Sequence, residues 1–541
     1  AQKHNSIKEF FLFLYYHLFK SSFMRTFLIG TISFFIIASC SSVDNKKLSG
    51  TDADGPLMQD SLCIDPMLKS KLDETLAPFY HGVASGDPTQ NAAIIWTRIT
   101  LTTPSKTIPI RWEISLNPNF KTIEQTGEQS TTINDDYTLK IDVENLKPGT
   151  EYFYRFQHKE ATSITGKLQT LPLVSDKMKI AFASCSNYEW GHFNAYGAMA
   201  NDEDIDLIVH LGDYIYEYGT GTYGDTSLGR TNVPLQELIS LQDYRTRYAL
   251  YRLDKNLIRA HQNKPFITTW DDHEIANNSY MDGAENHQDS TEGEWSSRKN
   301  AGIQAYYEWM PVRAPKEKLY RSFSIGNLIN LVILDTRISG RTAQIYDHEN
   351  VEYQDQSRSI LGQPQYNWLT SVLKENHKWK IIGNQVPLGP MLVPTEEGHH
   401  PYMDGWDGYP SERNKLLNFI ADNKIDNLIF MTGDYHSSFA LETPLGTKTI
   451  ASEFIVPSIN SSNYDEHTDS ATVLRAQDGY LQLNPHIRHC NLTDHGYVNL
   501  TIKKEHVYAE FIYLESVDSF NLSLKPSVDF IVPSGKIMDK K

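Results

Sequence analysis

Two kinds of apolar patterning divide the chain. From His81 to Pro172, short runs such as AAIIWTRIT and IRWEISL alternate apolar and polar residues, with Pro, Asn and Gly turns between them. Period-two alternation marks half-buried strands, and VENLKPGTEYFYRFQ (Val143–Gln157) adds a Pro-Gly turn feeding an aromatic strand. This region reads as a small β-sandwich. Within it, HGVASGDP (His81–Pro88) has the order G-x-x-S-G rather than the nucleophile elbow G-x-S-x-G, and no helical pattern follows it, so it is read as a turn. After Pro172 the apolar runs become nearly continuous: MKIAFAS, DLIVHLGD, PFITTWDD, NLVILDT, WKIIGNQ and DNLIFMTGD, with longer amphipathic stretches between them. Strands buried on both faces read this way, and the interleaved helices predict an α/β domain of parallel or mixed sheets covered by helices. The late segment GYVNLTIKKEHVYAEFIYL alternates around a charged turn and predicts a closing hairpin.

The N-terminal stretch follows neither pattern. Met24 and Arg25 precede FLIGTISFFI, which leads into Ile37-Ala38-Ser39-Cys40. A short charged start, an apolar stretch of signal length and small residues before a cysteine make an export signal, too short for a typical membrane-spanning helix. Its end resembles the lipobox of bacterial lipoproteins, whose cysteine is acylated and becomes the mature N-terminus; the competing reading is cleavage elsewhere, with Cys40 incidental. Residues 1–23 read as sequence upstream of a start at Met24. The expected organisation is an upstream and signal segment over 1–40, a polar tether over 41–77, the β-sandwich over 78–172, a catalytic domain over 173–515 and a tail over 516–541. The acidic segment Tyr280–Ser297 reads as a mobile surface insertion.

Composition narrows the partners. The 541 residues are 40 % hydrophobic and 22 % charged, an ordinary globular balance. With 50 Lys and Arg against 67 Asp and Glu, the net charge of −17 repels phosphate backbones and excludes nucleic-acid binding through a basic face. An acidic protein that handles anionic substrates needs a local source of positive charge, and bound cations supply it. The four cysteines are Cys40, Cys63, Cys185 and Cys490. A chain of this size has no need of a disulfide framework, and the sequence leaves Cys63 and Cys490 either paired or free.

The strand ends carry the chemistry. In covered α/β sheets, sites form beyond the carboxyl ends of strands, and those ends bear Cys185, Asp213, Asp271-Asp272-His273, Asp335, Asn384, and Asp434 with His436. One such aspartate could be a helix cap; polar residues recurring at the tip of successive strands imply one shared site. Keeping several carboxylates charged beside apolar strands costs several kcal/mol each unless cations compensate. Thiolate from Cys185, phenolate from Tyr216, imidazole from His436 and carboxylate from Asp213 favour a highly charged ion such as Fe(III) over Mg²⁺ alone, and the remaining aspartates suit Ca²⁺.

A resemblance sharpens this reading. ASCS with GHF downstream (Ala183–Phe193), HLGDYIYEYG (His210–Gly219), YRTRYALYR (Tyr244–Arg252), TTWDDHEIANN (Thr268–Asn278), ILDTR (Ile333–Arg337), GNQ (Gly383–Gln385), WDGYPSER (Trp406–Arg413) and TGDYHSS (Thr432–Ser438) resemble the PhoD-like alkaline phosphatases in order and type. HGVASGDP and WTR fit that family's smaller domain, which itself is similar to a fibronectin III sandwich. The resemblance runs from about Phe79 to Tyr513 and implies a four-layer α/β/β/α metallophosphatase sandwich behind a small N-terminal fibronectin III-like β-sandwich. It implies metal-dependent hydrolysis of phosphate esters. Carried over by position, Cys185, Asp213, Tyr216 and His436 hold Fe³⁺; Asp213 bridges to Ca²⁺, and Asp272 and Asp434 complete the calcium sphere. By analogy with wider metallophosphatases, His273 stands near the leaving group as general acid. The first aspartate-histidine motif of ordinary metallophosphatases is absent, with the cysteine in that neighbourhood. Arg337 either contacts phosphate oxygens or forms a structural ion pair, Gln385 is a further substrate contact left open, and the Trp406–Tyr409 loop either covers the site or packs between domains. The expected partner is a phosphate ester, monoester or diester (including lipid or polymer diesters), and the expected setting is the periplasm or surface of a bacterium, with the protein anchored to a membrane through lipid on Cys40. A non-catalytic surface lipoprotein is the remaining alternative, and the presence of every ligand position argues against it.

Overall fold

The computed structural model describes residues 65–540 except 102–104, 314, 317 and 397. Cys40, Cys63, the signal segment and most of the tether therefore lie outside the described residues. The nearly continuous apolar runs form the central strands of two sheets. In the first, Lys177–Ala183, Leu207–His210 and Pro265–Thr268 lie side by side and parallel, in register Ile180 to Leu207 and Val209 to Ile267. In the second, Ile329–Ile333, Trp379–Asn384 and Leu428–Thr432 do the same, with Ile333 opposite Gly383 and Ile381 opposite Ile429.

The two sheets face each other through an apolar layer that includes Ile180, Phe182, Val209, Ile267, Leu331, Ile381, Ile429 and Phe454, all fully buried. Helices Asn194–Asn201, Leu241–Tyr251 and Trp295–Trp309 cover the outer face of the first sheet. Helices Gly362–Val372 and Pro410–Asp422 cover that of the second. The result is the expected α/β/β/α order, in which strand residues of both faces meet apolar neighbours, hence their uninterrupted hydrophobicity.

Antiparallel additions widen both sheets. The first reaches ten strands, because the hairpin Gly496–Lys503 with His506–Tyr513 joins one side and Val528–Pro533 with Asp539–Lys540 extends it. The segment beyond residue 515, read from sequence as a tail, thus contributes two strands. On the other side, Val83–Gly86 pairs parallel with Pro265–Thr268 and antiparallel with Ala93–Arg98, which pairs Thr138–Val143. HGVASGDP is therefore not a turn. Its Val-Ala-Ser-Gly core is a buried strand too short for periodicity to reveal. These three N-terminal strands pack on a five-stranded sheet built around Ile108–Ser115 and Glu151–His158, through Ile95, Ile110, Ile141, Tyr154 and Phe156. One leaf of the small β-sandwich is consequently continuous with the ten-stranded sheet.

The acidic insertion is tied down. Arg298 reaches back to Glu237 and Glu292, Asn286 donates to Glu217 at 2.9 Å, and Trp295 is buried. Among the described residues no helix is long and apolar enough to cross a membrane.

Candidate metal centre

The parallel strands deliver their polar carboxyl ends to one place. Cys185, Asp213, Asp434 and His436 each adopt a left-handed backbone, with φ of 59°, 56°, 65° and 61°. For residues with a Cβ this costs on the order of 1–2 kcal/mol each, and it persists because hydrogen bonds fix the loops. Cys185 N–H donates to the Gly212 carbonyl at 3.1 Å, Ser186 N–H to that of Asp213 at 2.9 Å, and Ser458 N–H to that of His436 at 3.0 Å. Gly212, at φ +119°, lets the Asp213 loop cross the Asp271 loop: a Cβ there would sit 2.5 Å from the Asp271 nitrogen. Strain of this kind, repeated at the tips of neighbouring strands, turns four side chains inward.

Cys185 Sγ stands 3.5 Å from Asp213 Oδ2, and Tyr216 Oη stands 3.3 Å from the same oxygen and 3.0 Å from His436 Nε2. A sulfur, a phenol, an imidazole and a carboxylate thus converge, and potential ligand atoms of Cys185, Asp213 and His436 all lie within 4.8 Å of one another. His436 Nδ1 is 3.0 Å from the Ser462 carbonyl, which can only accept, so the ring proton sits on Nδ1 and the Nε2 lone pair faces the cluster. Burial pushes the Cys185 thiol and the Tyr216 phenol well up, with Asp213 adding to both, and pushes Asp213 itself well above the usual carboxylate range. Burial lowers His436 to about 4, which keeps it neutral.

A second group adjoins the first. Asp271, Asp272 and Asp434 place carboxylate oxygens within 4.8 Å of one another, as do Asp213 and Asp272 with a nitrogen of His273. Burial raises Asp434 to about 6 and Asp271 far above normal, whereas at Asp272 the opposing pull of Arg337 and His273 overcomes burial and holds it near 2. Asp271 Oδ2 and Asp272 Oδ1 are buried and accept no hydrogen bond among the described residues, and Asp272 Oδ1 has only the Arg337 guanidinium 3.6 Å away. Orphaned carboxylate oxygens beside proton-retaining acids are what a cation would satisfy, so this donor set fits hard ions in the aspartate group and a softer, more charged ion at the thiol and phenol.

His273 faces both groups. Its Nδ1 lies 2.6 Å from Glu217 Oε2, and its ring lies against Tyr216 with centroids 4.3 Å apart. Burial opposes its charge, but Asp272, Glu217 and Asp213 outweigh burial and raise its pKa well above normal. Glu274, next in the chain, organises backbone, accepting from Asp213, Tyr214 and Asp271 N–H groups at 3.2, 2.7 and 2.8 Å.

The residues left open in sequence resolve into supports. Arg337, fully buried, gives Nε to Asp271 (2.5 Å), Nη1 to Asp404 (2.8 Å) and Nη2 to Asp434 (2.8 Å). Its guanidinium is committed to carboxylates and is a structural ion hub. Gln385 accepts from Thr336 and donates to the Leu334 carbonyl, so its amide holds neighbouring strand ends together. Trp406 and Tyr409 are fully buried in the core beneath Pro410–Asp422, which makes their loop packing rather than a cover. Sequence reasoning used only Asp272 of the Asp-Asp pair and missed Asp271 as its partner, although the pair itself was visible. Asp404, which binds Arg337 and Arg341, and Glu217, which binds His273, carry no pattern that singles them out.

Residues 180–511 match the PhoD-like phosphatase family, and residues 67–172 match the N-terminal domain of PhoD-like phosphatases. The chain belongs to the PhoD-like phosphatases. It is similar to alkaline phosphatase D of Bacillus subtilis (strain 168), with 34 % identity over 481 residues that cover 84 % of this chain and 80 % of that protein. The solved structure of PhoD superposes with a TM-score of 0.78 at 32 % identity, covering 86 % of this chain and 92 % of that one. As a member of this family the chain is a metal-dependent phosphoric ester hydrolase with a phosphate ester as substrate.

Proposed function

We propose that this phosphatase holds Fe³⁺ with Cys185, Asp213, Tyr216 and His436, and Ca²⁺ with Asp213, Asp272 and Asp434, with Asp271 beside them. The convergence of thiol, phenol, imidazole and shared Asp213 carboxylate within hydrogen-bonding distances supports this assignment above any other observation. Bound cations neutralise phosphate oxygens, orient the ester for in-line displacement and lower the pKa of the attacking water. The protein's own groups do the rest. Asp213 stands between the two groups and can bridge them. His273, charged and with Nδ1–H on Glu217, has its Nε2 proton to give to the departing alkoxide, and the tilted contact with the Tyr216 ring helps to hold its ring. No serine nucleophile is needed.

The general-acid role has a specific test. His273→Ala is expected to lose about 10²–10⁴-fold in kcat/KM on alkyl phosphates, and far less on p-nitrophenyl esters, whose leaving group needs no proton. Equal losses on both would refute the role. Running monoesters and diesters, including phospholipids, in the same panel assigns the ester class.

We further propose that the catalytic domain starts at 173 and takes in the two strands beyond 515, behind a sandwich over 78–172, with export and lipid anchoring through Cys40. The Met24-to-Cys40 segment supports the export reading. Radioactive palmitate is expected to label the wild type and not Cys40→Ser; an unlabelled wild type removes the anchor.

A further inference from the structure

The carboxylate of Asp434 is held differently from its neighbours. Asp271 Oδ2 and Asp272 Oδ1 accept no hydrogen bond among the described residues, whereas each oxygen of Asp434 has a donor of its own. Arg337 Nη2 reaches Oδ1 at 2.8 Å, and the Tyr402 hydroxyl donates to Oδ2 at 2.6 Å. Arg337 already serves the whole centre as its ion hub. Tyr402 comes from thirty-two positions earlier in the chain and has no other part in the site.

Several contacts brace that hydroxyl. Tyr402 closes the hairpin of Leu392–Thr395 with Gly398–Pro401, and its N–H donates to the Met391 carbonyl at 2.9 Å. The hairpin is tied to helix Ser470–Leu483, at whose end Asn484 exchanges hydrogen bonds of 2.8 and 2.9 Å with the Leu392 backbone. The Tyr402 ring stands edge-on to Tyr435 with centroids 4.7 Å apart. Tyr435 Oη bonds Tyr480 Oη on the same helix at 2.5 Å, and Tyr480 bonds Tyr464 at 2.8 Å. Tyr435 is itself the residue between Asp434 and His436, so one aromatic cluster fixes both the donor and the strand tip that carries its acceptor.

With Arg337 as its sole donor, the Asp434 carboxylate is free to turn both oxygens onto the guanidinium, the paired arrangement that arginine favours. Closed in that way it has fewer lone pairs for a cation. Each carboxylate oxygen offers two acceptor sites, and one donor on each leaves one lone pair on each for another partner. The tyrosine also draws charge from the carboxylate, which by itself weakens cation binding. Orientation outweighs this, because removing the outer partner of a metal ligand lowers metal affinity.

We propose that Tyr402 is a positioning residue for the aspartate group: its hydroxyl divides the Asp434 carboxylate between two donors and keeps lone pairs of both oxygens available to the cation. This rests on the calcium reading given above and adds to it a residue that acts only through Asp434.

Tyr402→Phe keeps the ring and removes only the hydroxyl. Iron-loaded, calcium-depleted enzyme titrated with Ca²⁺ against a competing fluorescent chelator is expected to bind calcium about 10–100-fold more weakly in this variant than in the wild type. Iron content and visible spectrum are expected to match the wild type, and excess Ca²⁺ is expected to restore phosphatase activity. Calcium binding that is unchanged or tighter in Tyr402→Phe, beside a wild type that binds it, would overturn the role and leave the calcium reading standing. Equal loss of iron and calcium would mark a general support of the fold and overturn it too. A wild type that takes up no Ca²⁺ would overturn the calcium reading, and the role with it.

Discussion

Arg337→Met removes a cation that three carboxylates share. The guanidinium is fully buried, pairs with Asp271 at 2.5 Å and with Asp404 and Asp434 at 2.8 Å, and lies 3.6 Å from Asp272. Removing one partner of a buried ion pair costs about 3–5 kcal/mol, because the other charge is left unpaired. The pairs share one guanidinium and do not add, and Asp404 keeps Arg341 at 2.6 Å, so the loss should stay near that range rather than triple. For a chain of this size about 1 °C accompanies each kcal/mol, which gives a fall in Tm of about 3–5 °C. Differential scanning fluorimetry in excess chelator reads this directly. Saturating Ca²⁺ is expected to restore a large part of the loss, since cations beside Asp272 and Asp434 replace the missing charge. A variant within about 1 °C of wild type (about 1 kcal/mol) in chelator would refute the ion-hub assignment.

Two further outcomes follow from the acids that hold their protons. Asp434, raised to about 6, and Glu274, raised to about 7, have folded pKa values above their unfolded ones, and Asp213 and Asp271 are raised as well. Such groups stabilise the metal-free protein below about pH 4 and lose that contribution as pH rises through the folded values, so the Tm gap between metal-loaded and chelated protein should widen from pH 4.5 to 7. A gap that narrows would contradict it. Loading cations should also release protons, from Cys185 and Tyr216 above all, since both are held far above their ordinary values. Calorimetry in buffers of different ionisation enthalpy is expected to find about two or more protons released per protein at pH 7; zero release would contradict the thiolate-phenolate assignment.

The layered fold was legible because each central strand is buried on both faces, which leaves an unbroken apolar run such as Leu207–Val209 that closes on the polar His210. The same rule located Cys185, Asp213, Asp272, Asp434 and His436, because a polar residue at the tip of a buried strand has few structural reasons to be there. Short strands escaped. Val83–Gly86 is four residues long, and its assignment to the catalytic sheet depends on pairing with Pro265–Thr268, nearly two hundred positions away. Asp404 and Glu217 were hidden for a related reason: each acts through a partner, Arg337 or His273, that long-range folding alone brings near.

The visible absorption spectrum of the purified enzyme tests the metal assignment most directly. Iron held by Tyr216 and Cys185 is expected to give an intense charge-transfer band with iron stoichiometric by elemental analysis, and Tyr216→Phe is expected to shift or abolish it. A colourless, iron-free protein that still hydrolyses phosphate esters would contradict it.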